Sequence, residues 1–224
     1  MRNCVKVAMK TVLLIARCTW HYIIMNQKEK RIMIEYALRY AALGWAVFPV
    51  KPRDKVPATP HGCLDATTDS TQIRAWWEAA PDCNIGLACG EPSGIVALDI
   101  DPRSGGQEFF DAMTDENGQL PEGVIESQTG GGGTHFIFAY QGEANIDLAP
   151  GVEVKSDGKY IVIPPSIHPS GNNYEWELSS SPIEAHDHNN SQSATDAALV
   201  GGDDTEESAA DIFGLFSPTR AIAV

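Results

Sequence analysis

The chain has 224 residues, 43% of them hydrophobic and 21% charged, a composition typical of a globular protein with one sizeable core. Its formal net charge of -14 argues against a general attraction to nucleic acid, because binding to phosphates normally requires a basic surface. The five cysteines form no CxxC pair and no Cys/His group at zinc spacing, which supports neither a disulfide framework nor a structural zinc and fits a reducing cytoplasm.

The charge divides the chain into three parts. Residues 1–33 hold seven Lys or Arg and one acid, residues 34–178 hold eight and 21, and residues 179–224 hold one and eight. We therefore predict an N-terminal extension over 1–33, a folded domain over 34–178 and an acidic, disordered tail or linker over 179–224. The apolar run at 11–16 is too short and too close to charges to span a membrane, although a weak signal peptide stays an alternative.

Two helices are predicted in the first half of the domain. Apolar residues at helical spacing over 32–43 predict an amphipathic helix that ends at Gly44, and a buried strand follows at 45–50. Asp69 provides a cap for a second helix, which Pro81 stops.

Strand signals dominate the second half. A short helix is predicted at 106–113. Short apolar runs between turn residues predict strands at 84–88, 94–101, 123–127, 135–139, 151–154 and 160–163. Early helices and late strands predict an α+β fold with a mixed or antiparallel sheet.

Two aspartates, Asp99 and Asp101, stand at the end of an apolar strand. Their spacing of two places both side chains on one face of the sheet, where they could bind a divalent cation through oxygen. A strand end in which one aspartate caps a turn is an equal alternative. Glu153 offers a third carboxylate, unless it belongs to an exposed alternation of Glu and Lys, and Asp157 before Gly158 is a turn residue.

The stretch QTGGGGTHFIF places four glycines before His135. Glycines allow close approach of the backbone to a ligand and can present N–H groups to phosphate. The stretch matches neither the P-loop nor the GxGxxG pattern, and a lone histidine is more often a core or turn residue than a catalytic one.

Taken in order, these motifs resemble the N-terminal domain of bifunctional DNA primase/polymerases (Prim-Pol), of the archaeo-eukaryotic primase superfamily. The resemblance covers roughly residues 34–176 and implies an RRM-like catalytic sheet beside a smaller α/β subdomain. The motifs that carry it are Leu98-Asp-Ile-Asp101, Gly130-Gly-Gly-Gly-Thr-His135, Val152-Glu-Val154, Gly158-Lys-Tyr-Ile-Val-Ile-Pro-Pro-Ser166 and Pro169-Ser-Gly171.

The resemblance also implies roles for individual residues. Asp99, Asp101 and Glu153 would bind Mg²⁺ or Mn²⁺ in a two-metal site, and His135 would complete the catalytic set by contacting the phosphates of the incoming nucleotide. Glu153 departs from the family, which often has Asp at this position, but the charge and the ligand type are kept. The remaining nucleotide-binding residues would be Gly132, Gly133, Thr134, Lys155, Ser166 and His168.

The function predicted from this resemblance is nucleotidyl transfer by a DNA primase/polymerase. Its partners would be a single-stranded DNA template, dNTPs and/or NTPs, and a helicase that is encoded separately or lost, in the replication of a plasmid, phage or integrated element. No membrane partner is expected. A non-catalytic adaptor that binds nucleotide or DNA is the alternative. A basic strip for DNA would consist of Lys51, Arg53, Lys55, Arg74, Lys155 and Lys159.

Overall fold

The computed structural model describes residues 32–121 and 124–183. Nearly all of the predicted N-terminal extension and most of the acidic tail lie outside the described residues, so the domain limits stay predictions. Within the described residues, three helices accompany two sheets in which every strand pair is antiparallel. The predicted α+β fold is therefore confirmed, with antiparallel rather than mixed sheets.

The helices and strands follow the predicted order. Helix α1 covers residues 32–42, α2 covers Ser70–Ala79 and α3 covers Gly106–Asn117, with short 3-10 turns at Gly62–Asp65 and Pro102–Ser104. The strands are β1 Val47–Val50, β2 Asn84–Ala88, β3 Ile95–Ile100, β4 Ile125–Gln128, β5 Thr134–Ala139, β6 Ile146–Ala149, β7 Val152–Lys155, β8 Tyr160–Ile163 and β9 Glu175–Trp176. Strands β6 and β9 were not predicted from the sequence.

The smaller sheet has the strand order β1-β2-β8, and the larger sheet has the order β6-β7-β3-β5-β4-β9. One buried cluster joins them: Leu87 of β2 and Ile161 of β8 lie in it with Ala97 of β3 and Ile137 of β5. Residues of α1 and α2 belong to the same cluster. Burial of these apolar side chains is the main stabilising contribution that holds the two sheets together.

Helix α3 covers the opposite face of the larger sheet. Its Phe110 ring stacks on Phe136 of β5 with centroids 5.0 Å apart, and Met113 packs on the same cluster. Leu98 and Ile100 of β3 point toward this face. Because side chains alternate along a strand, Asp99 between them points toward the other face.

The cap predicted for α2 is present. The Asp69 carboxylate accepts a hydrogen bond of 2.8 Å from the backbone N–H of Thr71, which satisfies one of the unpaired donors of the first turn. The helix buries Ile73 and Trp77 in the shared cluster. The indole N–H of Trp77 donates to the carbonyl of Cys83, so the turn after the helix is attached to its buried face.

None of the helices in the described ranges is long and apolar enough to cross a bilayer. The three cysteines within those ranges, Cys63, Cys83 and Cys89, are free thiols. Burial raises the pKa of the Cys89 thiol far above its usual range, so this side chain packs as a small hydrophobic group.

Candidate functional site

A row of polar side chains crosses the larger sheet from strand to strand. Asp99 of β3 is paired with Glu153 of β7 on one side and with His135 of β5 on the other. Beyond them, Asp147 of β6 is paired with Glu153, and Ser127 of β4 is paired with His135. Directly paired residues of antiparallel strands project from the same face. The fold therefore brings together three of the residues predicted to be catalytic.

Lys155 lies between two of the carboxylates. Its Nζ is 2.6 Å from Oε2 of Glu153 and 3.2 Å from Oδ2 of Asp99, while Nζ of Lys159 is 3.1 Å from Oε1 of Glu153. Burial by itself would lower the pKa of Lys155, but the hydrogen bond to Glu153 and the nearby carboxylate charges raise it. Burial likewise opposes ionisation of Glu153, and the two lysines lower its pKa in spite of this. Both partners are therefore charged at neutral pH.

Asp101 is held by Arg103, a residue that the sequence analysis did not single out. The guanidinium Nε is 3.0 Å from Oδ1 of Asp101 and Nη2 is 2.9 Å from Oδ2, and the backbone N–H of Arg103 also donates to Oδ1. These hydrogen bonds lower the pKa of Asp101. Asp101 thus also caps the 3-10 turn, the alternative considered for this pair of aspartates. An arginine two residues after a strand-end carboxylate was the sequence signal for this contact.

His135 is buried beside Asp99. Its side chain is only 6% exposed, and Nε2 lies 3.5 Å from Oδ1 of Asp99. Burial lowers the pKa of His135 to about 4, so the imidazole is neutral at physiological pH. The ring of Tyr174 lies nearly parallel to it at a centroid distance of 6.3 Å. Tyr174 was not among the predicted site residues because it lies in a short segment between two loops.

The glycine stretch before His135 forms a tight turn that uses its own N–H groups. The N–H of Gly132 donates to the carbonyl of Thr129, and the N–H of Gly133 donates to Oγ1 of Thr129, both at 2.9 Å. We expected these two N–H groups to face a triphosphate. In the structure they stabilise the turn instead, because a turn that leaves the sheet must satisfy its own backbone donors.

Close packing explains why the turn consists of glycines. A Cβ atom at Gly130 would lie 2.5 Å from Cβ of His168, and one at Gly133 would lie 2.5 Å from the carbonyl oxygen of Ile100. The backbone of the turn therefore contacts both the end of β3 and the loop that carries His168. Any larger residue at either position would separate them.

The other predicted nucleotide-binding residues lie at different depths. Ser166 is 0% exposed and its Oγ accepts from the N–H of Ile85, so it holds β2 in the interior and does not line the cleft. His168 is buried against the glycine turn, and its Nδ1 accepts from the N–H of Ser170. Thr134 is half-buried at the start of β5.

A cleft of ≈ 580 Å³ opens beside the carboxylates. Asp99, Asp101 and Glu153 all line it, together with Asp147 and Ser104. Carboxylate oxygens are the ligands that Mg²⁺ and Mn²⁺ prefer, so the donor set fits these metals. Within residues 32–121 and 124–183, no three His, Cys, Asp or Glu side chains form a ready-made ligand group. Lys155 and Arg103 contact these carboxylates and would compete with a cation for their oxygens.

The fold agrees with the comparison with protein families. The family model described as bifunctional DNA primase/polymerase, N-terminal (Prim-Pol), matches residues 37–188. The chain belongs to the Prim-Pol family. The match covers more than half of the chain, including all nine strands and every predicted site residue. A search of curated proteins found no match. Membership of the Prim-Pol family indicates a function of the DNA primase/polymerase class.

Proposed function

We propose that this protein is a metal-dependent nucleotidyltransferase that makes or extends primers on a single-stranded DNA template. The observation that carries the proposal is the placement of Asp99 directly between Glu153 and His135, with Asp101 on the wall of the same cleft. Carboxylates that line one cleft could hold the metal ions of a two-metal nucleotidyl transfer.

Asp99, Asp101 and Glu153 would hold Mg²⁺ or Mn²⁺. When bound, the metals would activate the attacking 3′-hydroxyl and stabilise the charge of the pyrophosphate leaving group. Lys155 and Arg103 now neutralise these carboxylates. A cation that replaced them would leave both side chains beside the cleft, where their positive charge would be available to a triphosphate.

His135 would contact the triphosphate as a neutral hydrogen-bond donor. Its Nε2 faces Asp99 and therefore the carboxylate row, whereas the rest of the ring is packed against Tyr174. A neutral, buried imidazole changes neither charge nor orientation near pH 7, which suits a group that positions a substrate.

The loop after β1 offers a path for the template in an otherwise acidic domain. It carries the exposed residues Lys51, Arg53 and Lys55. The hydroxyl of Tyr160 donates to the carbonyl of Lys55 at 2.7 Å, which fixes the loop against β8. The charge of Lys55 contributes to the lowered pKa values of Asp101 and His135, so this loop lies near the site. Phosphate binding here would be local and sensitive to salt.

The family resemblance alone supports the biological setting. We propose that the protein acts in the replication of a plasmid, phage or integrated element, with dNTPs and/or NTPs as substrates and with a helicase as a partner.

One observation favours a second candidate, a non-catalytic adaptor that binds nucleotide or DNA. Each of the three carboxylates already has a cationic partner within the protein. A site with balanced charge is stable without a metal, as a purely binding protein would require.

The experiment is primer synthesis and extension on single-stranded DNA, with Mg²⁺ or Mn²⁺ and with dNTPs or NTPs. We expect Asp99→Ala combined with Asp101→Ala to lower the rate by at least about a hundredfold, because the metals supply several kcal/mol of transition-state stabilisation. The matched control is Asp115→Ala combined with Glu116→Ala, which removes the same charge from an exposed part of α3. Folded wild-type protein that binds DNA or nucleotide but yields no product under any of these conditions would establish the adaptor instead.

A further inference from the structure

Two buried polar atoms without partners belong to neighbouring residues of the polar row. Nδ1 of His135 and Oγ of Ser127 are inaccessible to solvent and make no hydrogen bond within the described part of the chain. Ser127 is 0% exposed, and it is the residue of β4 that is paired with His135 of β5. Paired residues have Cβ atoms about 5 Å apart. The two unsatisfied atoms do not bond to one another in this arrangement, but they are close enough for one water to bridge them or for a rotation of the Ser127 side chain to join them.

The contact between Nε2 of His135 and the Asp99 carboxylate determines which ring nitrogen carries the proton. Nε2 of His135 lies 3.5 Å from Oδ1 of Asp99. An ionised carboxylate can only accept hydrogen bonds, so a neutral imidazole facing it presents an N–H at Nε2. Nδ1 is then the unprotonated nitrogen of a buried ring, and its lone pair requires a hydrogen-bond donor. A serine hydroxyl can donate, and the hydroxyl of Ser127 has no partner among the described residues.

We propose that Ser127 is a positioning residue whose hydroxyl donates a hydrogen bond to Nδ1 of His135, directly or across one bound water. The bond fixes the imidazole as the Nε2–H tautomer and orients the ring between β3 and β4. Ser127 does not touch the substrate and acts only through His135.

The consequence for function rests on the proposed nucleotidyl transfer. In the Nε2–H tautomer, the imidazole presents a donor toward Asp99, which lines the cleft, and a donor suits an anionic phosphate. In the other tautomer, it would present a lone pair to the same phosphate and repel it. An incorrect tautomer weakens catalysis even when the geometry is unchanged.

The test uses the full chain labelled with ¹⁵N-histidine, without metal or nucleotide. Long-range ¹H–¹⁵N spectra distinguish the two neutral tautomers, and the spectrum of His135→Gln identifies the signals of His135. We expect wild-type His135 to carry its proton on Nε2, and Ser127→Ala to populate both tautomers. Ser127→Thr keeps the hydroxyl and should retain the wild-type tautomer.

Ser156→Ala is the matched control. Ser156 is also 0% exposed with an unpartnered Oγ, but it is not paired with His135. Its removal should leave the His135 signals unchanged. With Mn²⁺ and a non-hydrolysable dNTP, Ser127→Ala should weaken nucleotide binding roughly tenfold, the effect of one lost hydrogen bond, whereas Ser156→Ala should not weaken it.

Two results would overturn the proposal: a wild-type His135 that carries its proton on Nδ1, or a Ser127→Ala spectrum with the wild-type tautomer. If Ser127→Ala fails to fold, the spectra of the wild type and of Ser127→Thr show whether His135 carries its proton on Nε2 when residue 127 has a hydroxyl. The tautomer is measured without substrate, so it can be confirmed even if the protein makes no primers. Conversely, active protein with an unchanged tautomer in Ser127→Ala would refute the role of Ser127 alone.

Discussion

The guanidinium of Arg103 and a metal ion would compete for the same oxygens. Arg103 contacts both carboxylate oxygens of Asp101, and its side chain is 61% exposed. An ion pair this exposed contributes at most about 1 kcal/mol, because water screens it and both side chains lose freedom. Arg103 can therefore release Asp101 at little cost when a divalent cation arrives.

We expect Arg103→Ala to bind Mn²⁺ up to about fivefold more tightly than the wild type in the absence of nucleotide, because the competing cation is gone. Electron paramagnetic resonance of free Mn²⁺ during a titration measures this affinity. Arg74→Ala controls for the general change in charge, since Arg74 is exposed on α2. An affinity equal to that of Arg74→Ala would show that Arg103 does not compete at Asp101.

Helix α1 is attached to both sheets through the hydroxyl of Tyr40. Tyr40 is 0% exposed, and its hydroxyl donates to the carbonyl of Pro164 at 2.7 Å, just after β8. The same oxygen accepts from the indole N–H of Trp176 in β9 at 2.8 Å. The ring of Tyr40 also stacks on the ring of Trp45. Strand β9 has only two residues, so this contact helps to fix it at the edge of the larger sheet.

Tyr40→Phe should therefore lower the free energy of unfolding by about 1 to 3 kcal/mol, because it leaves the partly buried indole N–H of Trp176 and the buried carbonyl of Pro164 without their partner. Urea denaturation followed by circular dichroism measures the change. Tyr36→Phe is the control, since Tyr36 is a half-buried tyrosine of the same helix whose ring lies 6.2 Å from that of Tyr40. Equal effects of the two substitutions would contradict a specific role for the Tyr40 hydroxyl.

Although the whole molecule is acidic, its own lysine and arginine side chains compensate the charge of the carboxylate cluster. The net charge is -14, yet Asp99, Asp101 and Glu153 are each in contact with Lys155, Lys159 or Arg103. Carboxylates that are close together repel one another unless cations compensate them. These side chains supply the compensation within the protein, so we expect the fold not to depend on a metal.

Metal removal should accordingly abolish nucleotidyl transfer but leave the protein folded. We expect EDTA to lower the Tm of the wild type by only a few degrees, the size of a modest ligand-binding contribution. In Lys155→Ala, Asp99 and Glu153 lose their shared cation, so EDTA should lower the Tm further. Thermal denaturation with and without Mg²⁺ tests both statements. Unfolding of the wild type in EDTA would show that the metal is structural.

Local patterns in the sequence were enough to predict most elements and the membership of the family. The alternation around Asp99, the cap at Asp69 and the turn residues that bound the strands act over a few residues. The ordered motifs at Asp101 and His135 carried the resemblance that the family match confirms. Strand β9 was missed because two residues have no period of their own, and only its pairing with β4 defines it.

The α+β elements, the family and the chemical types of the candidate residues could be predicted from the sequence alone. Which of these residues meet depends on the tertiary fold: Ser127 lies beside His135, Lys155 lies between two carboxylates, and Ser166 lies in the interior. The physical reason is that antiparallel register depends on hydrogen bonds between segments distant in the chain and on which face of each strand is buried. A shift of one residue would turn every side chain of a strand to the opposite face, and the pattern of one strand does not by itself specify which residues of a distant strand it will pair with.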